Sequence, residues 1–457
     1  MSGIFGVYSL NGDNVADELL MGTVALQHKG EEGCGVSLER DGKFYTNKSR
    51  QLAFYFFRDK TNSLNGLRWS NPKSAIGHTL YENKGGLQPI EKKGENHHLS
   101  LAMDGILLGF DGKNDTKMAD LFSKYLDNTN DFYKAGEKVM KDLKGRGSYC
   151  VTSLVKNDQG VSLVAFRDPK GIKPYCLGQK ESKESLKYIV SSETKGLEGV
   201  EADFIRDIRP GEMVVINKKG LNSKSLIEED HTHCFFDWIY FADPTSVIEG
   251  RDVLEVRKEL GRKLARRYAE RLDVDLVMAS PDSGRGVAIG FQQELSKIKG
   301  SFIPYEEAVV KNQGAKRTFQ VEDEEQRRLA ANVKFFMNKR IVEGKNVAVG
   351  DDSIVRGTVF RDGMIYKLRR ANAGKIYPII SCPALVHACI SNPTGKNFVA
   401  YGLEGSVEDI GEQVAKKLNA DFVCYPTTKD MVDAVGLEDL CKACIDGVFP
   451  VDKKFCE

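Results

Sequence analysis

Two short stretches of this chain combine residue types that could do chemistry. The first is Val347-Ala348-Val349-Gly350-Asp351-Asp352-Ser353-Ile354-Val355-Arg356-Gly357-Thr358. It reads as an apolar strand with two adjacent carboxylates at its end and a Gly-Thr step at the start of a helix. A helix start presents unpaired amide hydrogens and a positive dipole end, which suit a phosphate. Carboxylates beside it can accept hydrogen bonds from ribose hydroxyls and help to hold Mg²⁺, which takes oxygen ligands. Two aspartates before a helix, taken alone, are more often an N-cap with favourable charge. The segment lacks the Gly-x-x-x-x-Gly-Lys-Ser/Thr spacing of a Walker loop. The second stretch, Cys441-Lys442-Ala443-Cys444, has a C-x-x-C spacing shared by zinc half-sites, redox pairs and coincidence.

The elements around the first stretch have a clear rhythm. From about residue 250, helices alternate with short apolar strands. Arg251 to Leu272 reads as an amphipathic helix with Val253, Val256, Leu260, Leu264 and Tyr268 on one face. Its eight basic residues are interspersed with Asp252, Glu255, Glu259 and Glu270, the pattern of a solvated outer face. A strand at Val274 to Met278 leads into the turn Pro281-Asp282-Ser283-Gly284 and a helix to about Ile298. A helix from about Val359 to Ala373 and a strand at Ile376 to Ile380 follow the strand Val347 to Val349. This alternation predicts a parallel sheet with crossover helices, and ligands of such sheets bind beyond the carboxyl ends of the strands. Both polar turns fall there.

Residues 1 to about 232 have a different layout. Strands are predicted at Ile4 to Leu10, Leu99 to Met103, Ser148 to Val155, Val161 to Phe166 and Glu212 to Ile216. Helices are predicted at Ala16 to His28, Met118 to Leu126 and Phe132 to Leu143, a mixed α+β arrangement. At 457 residues the chain exceeds what one core usually serves, so two domains are expected. A net charge of +1 without a basic tail argues against a nucleic-acid partner. No apolar run approaches the roughly 18 residues that a bilayer span needs. Met1-Ser2-Gly3-Ile4-Phe5-Gly6 lacks the basic region of a signal peptide, so a cytoplasmic protein is expected. In that reducing compartment the ten cysteines are expected to be metal ligands, nucleophiles or buried small hydrophobes rather than disulfides.

The segment Asp351 to Thr358 resembles, almost letter for letter, the phosphoribosyl pyrophosphate (PRPP) loop of the amidophosphoribosyltransferases. Other stretches agree in order. Pro281-Asp282-Ser283-Gly284 is similar to the family's second PRPP and metal-binding turn. Lys311-Asn312, then Arg317-Thr318-Phe319, resembles its loop that closes over the substrate. Lys334 falls where the family has a lysine that approaches the pyrophosphate. Cys234-Phe235-Phe236-Asp237-Trp238-Ile239-Tyr240-Phe241-Ala242-Asp243-Pro244 is similar to its domain junction, and Leu26-Gln27-His28-Lys29-Gly30-Glu31-Glu32-Gly33 to its first helix exit. The resemblance covers essentially the whole chain. It implies PRPP held by Lys311, Arg317, Lys334 and residues Asp351, Asp352, Ser353, Ile354, Val355, Arg356, Gly357 and Thr358. It further implies Mg²⁺ at Ser283, Asp351 and Asp352, with purine nucleotides as further ligands.

The chain departs from the family where glutamine would react. The family's first domain uses an amino-terminal cysteine as nucleophile, a role suited to thiolate. Removal of Met1 here exposes Ser2. The family's Gly-His-x-Arg-Tyr supplies an arginine for the glutamine carboxylate, but Gly77-His78-Thr79-Leu80-Tyr81 has Leu80. Its His-Asn-Gly-Asn supplies the oxyanion hole, but Met103-Asp104-Gly105-Ile106 has a carboxylate. Asp104 would repel a developing oxyanion, and a lost donor alone costs roughly 10²–10³ in rate. Asp115 corresponds to the aspartate that holds the substrate amine. In the second half, Val359 and Phe360 follow Thr358 in place of another hydroxyl residue, and Gln313 and Asn332 replace common arginines.

Cys441 and Cys444 resemble the Cys-Leu-Ala-Cys of the family's iron–sulfur branch, and Cys234 and Cys389 match its two other ligands. Four thiolates suit zinc or a [4Fe–4S] cluster, and the resemblance favours the cluster. The expected fold is an αββα amidohydrolase-like domain over 1–232, followed by a type I phosphoribosyltransferase domain over 233–457. Two functions are expected from this reading. One is transfer of ammonia or another amine to PRPP in a homo-oligomer. The other is a non-catalytic PRPP- or nucleotide-binding regulator of an active paralogue.

Overall fold

The computed structural model describes residues 2–59, 71–81, 86–312, 333, 335–389, 397–452 and 455. Its first half contains two antiparallel sheets. The seven-stranded sheet runs, in spatial order, Asp203–Asp207, Cys176–Glu181, Leu186–Ser191, Gly3–Ser9, Ser74–Thr79, Cys34–Arg40 and Lys43–Ser49. The six-stranded sheet runs Gly220–Ser225, Glu212–Asn217, Gly160–Arg167, Gly147–Asn157, His98–Leu107 and Ile90–Lys93.

Period-two alternation explains why these sheets stack. In the first strand, Ile4 packs between the sheets with Ala102, Leu154 and Leu163. Its neighbours Phe5 and Val7 face outward, onto Leu19 and Leu26 of the segment around helix Ala16–Ala25. In the strand Gly147–Asn157, Cys150 and Leu154 enter the inter-sheet core. Val151 and Val155 of the same strand meet Met118, Phe122 and Val139 of helices Asn114–Thr129 and Phe132–Asp142. The result is four layers, helix–sheet–sheet–helix. Each predicted strand forms: the first is shifted by one residue to Gly3–Ser9, and the others are longer than predicted, most of all His98–Leu107. The first helix stops at Ala25, and Gln27–Lys29 turns as a 3₁₀ segment.

The second half is built on a parallel three-stranded sheet, Leu276–Ala279, Val347–Asp351 and Ile376–Ile380, with the second strand central. Both faces are covered, as crossover helices require. Met278, Val349 and Ile380 lie in one core, whereas Val277, Ala348 and Ile379 lie in the other with Phe291 and Leu295 of helix Arg285–Lys299. The predicted amphipathic helix spans Val253–Tyr268. Most of its cations are solvated as expected, Arg262 with Glu255 and Glu259, Arg266 with Glu294. Arg257 is the exception. It is buried and donates from Nε to Trp238 O and from a terminal nitrogen to Ala242 O, each at 2.8 Å. These bonds hold the π-helical turn Asp237–Phe241 between the two halves. Among the described residues no helix is long and apolar enough to cross a membrane.

Buried charges cross this same junction. Glu193 lies 3.5 Å from Lys29, and both side chains are fully shielded from solvent. Its carboxylate also binds His28, the Ser246 hydroxyl at 2.6 Å and the Asp243 amide at 2.9 Å. Burial alone would raise its pKa, but Lys29 and His28 overcome this and hold it below the usual carboxylate range. Lys173 sits 4.0 Å from buried Asp237, and Arg167 sits 2.6 Å from Glu249. Removing one partner strands the other charge in the interior. Glu193→Ala is therefore expected to lower unfolding free energy by about 3–5 kcal/mol in denaturant titrations. The wild-type contribution should be whole above about pH 4.3 and diminish as pH falls below it. An unchanged midpoint at pH 7 would show that the pair does not hold the junction.

Candidate functional site

The central strand of the parallel sheet ends at Asp351, and residues 352–357 turn into a helix. Ser381 N donates to Asp351 O at 3.1 Å, and Cys382 N to Asp352 O at 2.9 Å, so the neighbouring strand end fixes the turn. Asp351 and Asp352 are both largely shielded. Asp351 Oδ1 accepts the Asp352 amide at 2.9 Å and faces the Ser283 hydroxyl at 3.5 Å. Asp352 Oδ1 accepts the Ser353 hydroxyl at 2.5 Å.

The remaining residues of the loop divide between packing and exposure. Ile354 anchors it in the core, and Val355 O accepts the Val399 amide at 2.8 Å. Gly357 has a φ of +76°, a left-handed conformation that other residues adopt at a cost. After it the chain enters a helix that is π-helical over Val359–Ile365 and α-helical over Tyr366–Arg370, shorter than predicted and wider at its start. π-Helical turns are frequent at functional sites.

The second polar turn stands at the end of the adjacent strand. Pro281–Asp282 is a cis peptide. The two turns come together because glycines let the backbones touch. A Cβ on Gly284 would lie 2.1 Å from Gly350 O, and one on Gly350 would lie 2.7 Å from the Ala288 Cβ. Lys311 reaches the same place, with Nζ 3.2 Å from Asp282, and Arg285 binds the other oxygen of that carboxylate at 3.1 Å. The structure therefore assembles Ser283, Lys311, Asp351, Asp352 and the 353–358 loop around one sheet end. Arg317, Lys334, Gln313 and Asn332 lie outside the described residues, as does the Val359 side chain. Arg257 was not anticipated, and the charge of Asp352 acts on it across the site. Burial pushes its pKa down, with Asp352 opposing. Its signal was its position four residues after Val253 and seven before Leu264, on the apolar face.

In the first half, Ser2 precedes the strand Gly3–Ser9, and its amide donates to Asp104 Oδ1 at 2.8 Å in the interior. The Tyr81 amide faces the Ser2 hydroxyl at 3.4 Å. Leu80 is buried, and Asp115 accepts the Gly86 amide at 3.0 Å. His78 is wholly buried, and neither ring nitrogen has a hydrogen-bond partner among the described residues. Burial pushes its pKa down to about 3, against the pull of Asp104. Asp104 is not isolated, because its charge also acts on Lys29 and Lys173.

The four cysteines meet beneath this region. Cys234 and Cys441 pair in a parallel two-stranded ladder. Cys444 O accepts the amides of Val386 and His387, both at 3.1 Å, which brings up the segment carrying Cys389. Each of Cys234, Cys389 and Cys441 acts electrostatically on Cys444. Burial pushes the Cys441 thiol up to about 11. Two further residues join them. Cys382 acts on Cys444, and the Lys173 ammonium is held protonated, against burial, by Asp237, Cys234, Asp104 and Cys389. Among the described residues no three cysteine sulfurs lie within 4.8 Å of one another.

A four-layer sandwich of two antiparallel sheets between helices, followed by a parallel sheet bearing an acidic loop, defines an amidotransferase-type fold joined to a phosphoribosyltransferase. Comparisons agree. The glutamine PRPP amidotransferase from B. subtilis, solved with ADP and GMP, superimposes with a TM-score of 0.82 at 27% identity, over 98% of this chain and 97% of that one. A structure described as the allosteric regulatory enzyme of purine biosynthesis gives a TM-score of 0.83 at 26% identity, over 98% and 96%. No family model matches the sequence. The amidophosphoribosyltransferase of Methanocaldococcus jannaschii is 32% identical over 100% of this chain and 98% of that protein. That of Synechococcus elongatus is 32% identical over 98% and 91%. The chain belongs to the amidophosphoribosyltransferase family.

The burial of His78 has a measurable consequence. Its ring is expected to stay neutral from pH 8 to pH 5, with no change in its ¹⁵N shifts. Because its unfolded counterpart titrates near 6.5, its contribution to stability should be whole above that value and fall below it. A shift change centred near pH 6.5 would mean that the site is open to water.

Proposed function

We propose that this chain transfers ammonia, or another amine, to C1 of PRPP, releasing pyrophosphate and forming phosphoribosylamine. In this reading residues 233–457 carry the transfer, and residues 1–232 form a glutamine-site domain that no longer hydrolyses glutamine. The observation that carries the transfer is the pairing of Asp351 and Asp352 at the end of the central parallel strand, with Ser283 at the adjacent strand end. Carboxylates there would receive the ribose hydroxyls, while amides of 353–358 would receive the 5′-phosphate. Lys311, Arg317 and Lys334 would meet the pyrophosphate. Asp351, Asp352 and Ser283 also form an oxygen donor set of the kind Mg²⁺ prefers, and bound Mg²⁺ would offset the charge of the leaving pyrophosphate.

Loss of glutamine hydrolysis is supported by three residues at one place. Ser2 stands at the nucleophile position, and Leu80 is buried where a carboxylate-binding cation would be needed. The Asp104 carboxylate accepts the Ser2 amide, and a negative group there opposes an oxyanion.

The four cysteines fit a [4Fe–4S] cluster held by Cys234, Cys389, Cys441 and Cys444. Four thiolates would complete a cubane, one on each iron. The buried Lys173 ammonium supplies a counter-charge for bound thiolates. Such a cluster would act as a staple between the junction and the end of the chain.

Glutamate release from glutamine should not exceed that of a Ser2→Ala control, with or without PRPP, and Ser2→Cys alone should not restore it. Calorimetry should detect PRPP binding with Mg²⁺ and lose it in Asp351→Asn/Asp352→Asn. Pyrophosphate release that depends on ammonia would then support transfer, whereas binding without turnover across many amines would favour the regulatory reading. Protein purified without oxygen should be brown, with about four irons per chain. A colourless, zinc-loaded and fully folded protein would refute the cluster.

A further inference from the structure

Three donor side chains outside both sites meet where the first half of the chain passes into the second. His231 and His233 are two residues apart on the approach to the short strand His233–Cys234, a spacing that puts side chains on one face of extended chain. Their ring centroids are 5.9 Å apart. His233 pairs in parallel with Leu440, and its amide donates to Asp439 O at 2.8 Å, which brings the Asp439 carboxylate alongside. Asp439 Oδ2 lies 3.5 Å from His233 Nε2 and 3.8 Å from His231 Nδ1. One donor atom from each of the three residues falls within 4.8 Å of the others.

The tautomer of His233 is also set. Its Nδ1 lies 2.8 Å from Gly171 O, and a carbonyl can only accept, so Nδ1 carries the proton. The Glu249 carboxylate, 3.8 Å from the same nitrogen, favours that arrangement. Arg167, 3.4 Å away, has no lone pair to offer and cannot change it. In the neutral ring the lone pair then sits on Nε2, the atom that faces Asp439 and would bind an ion in place of a proton. A histidine whose far nitrogen donates to a carbonyl or carboxylate is the usual arrangement of a metal ligand.

We propose that His231, His233 and Asp439 form a binding site for one divalent transition ion of the zinc type. Two imidazoles and one carboxylate suit zinc, cobalt or nickel, whereas Mg²⁺ and Ca²⁺ prefer all-oxygen sets. Three protein ligands leave a coordination position for water, and His231 is exposed, so an ion can enter from solvent. The site is distinct in chemistry from the neighbouring four cysteines, because it uses no sulfur. A bound ion would tie residues 231–233 to the strand that leads into Cys441, clamping the junction. This inference does not depend on the chain's catalytic activity.

The test is an anaerobic Co²⁺ titration of the untagged full-length protein, as isolated. One equivalent should bind with weak visible d–d bands and without thiolate-to-cobalt charge transfer, and Zn²⁺ should displace it. His231→Ala and Asp439→Asn should each weaken binding at least tenfold while circular dichroism stays unchanged. Zn²⁺ should raise the Tm of the parent but not of His231→Ala. No Co²⁺ binding, binding that carries the thiolate band, or equal affinity in His231→Ala would each overturn the proposal.

Discussion

The organisation of this protein depends on a few charges that the fold places out of reach of water. Lys29, Lys173, Arg167 and Arg257 are all buried at or near the meeting of the two halves. A lone buried cation is prohibitive, so each must meet a carboxylate or a set of carbonyls from another part of the chain. Glu193 meets Lys29, Asp237 meets Lys173, Glu249 meets Arg167, and the carbonyls of 238 and 242 meet Arg257. Most of these partners come from segments far apart in sequence, so pairing the charges fixes how the sandwich sits on the junction. Charge satisfaction here acts as a geometric constraint more than as a source of net stability.

The same constraint explains how Asp104 can exist. A carboxylate on an interior strand beside a buried, neutral His78 would be costly by itself. It is tolerated because Lys29 and Lys173 lie within electrostatic reach and the Ser2 amide donates to it. Lys173 also feels Cys234 and Cys389, so one ammonium lies between the first-strand site and the cysteines. The acidic loop is linked from the other side, through Arg257 and the π-helical turn. The first-strand site, the cysteines and the acidic loop thus share a single buried charged junction.

Local pattern made much of this architecture legible. Alternation in Ser148 to Val155 and the apolar runs at Val347 and Ile376 mark strands because one or both faces are buried. The carboxylates Asp351 and Asp352 were evident as a strand-end pair, and Cys441 and Cys444 as a spaced pair. The strands Cys34–Arg40 and Ser74–Thr79 were not evident. Almost every residue in them is buried on both faces, so polar Ser37, Glu39 and His78 interrupt any alternation. Lys173 gave no signal at all, since a lysine in a Gly-Ile-Lys-Pro turn reads as surface.

The sequence by itself therefore determined the succession of strands and helices and the position of the Asp351–Asp352 pair at a strand end. These follow from periodicity and from residue identity at neighbouring positions, which are local quantities. Only the tertiary structure decided that Cys382 and Lys173 lie within electrostatic reach of the four cysteines, and that His231, His233 and Asp439 converge. Convergence of this kind is set by strand register and by which buried charge must find which partner. Neither is written in the spacing of residues along the chain.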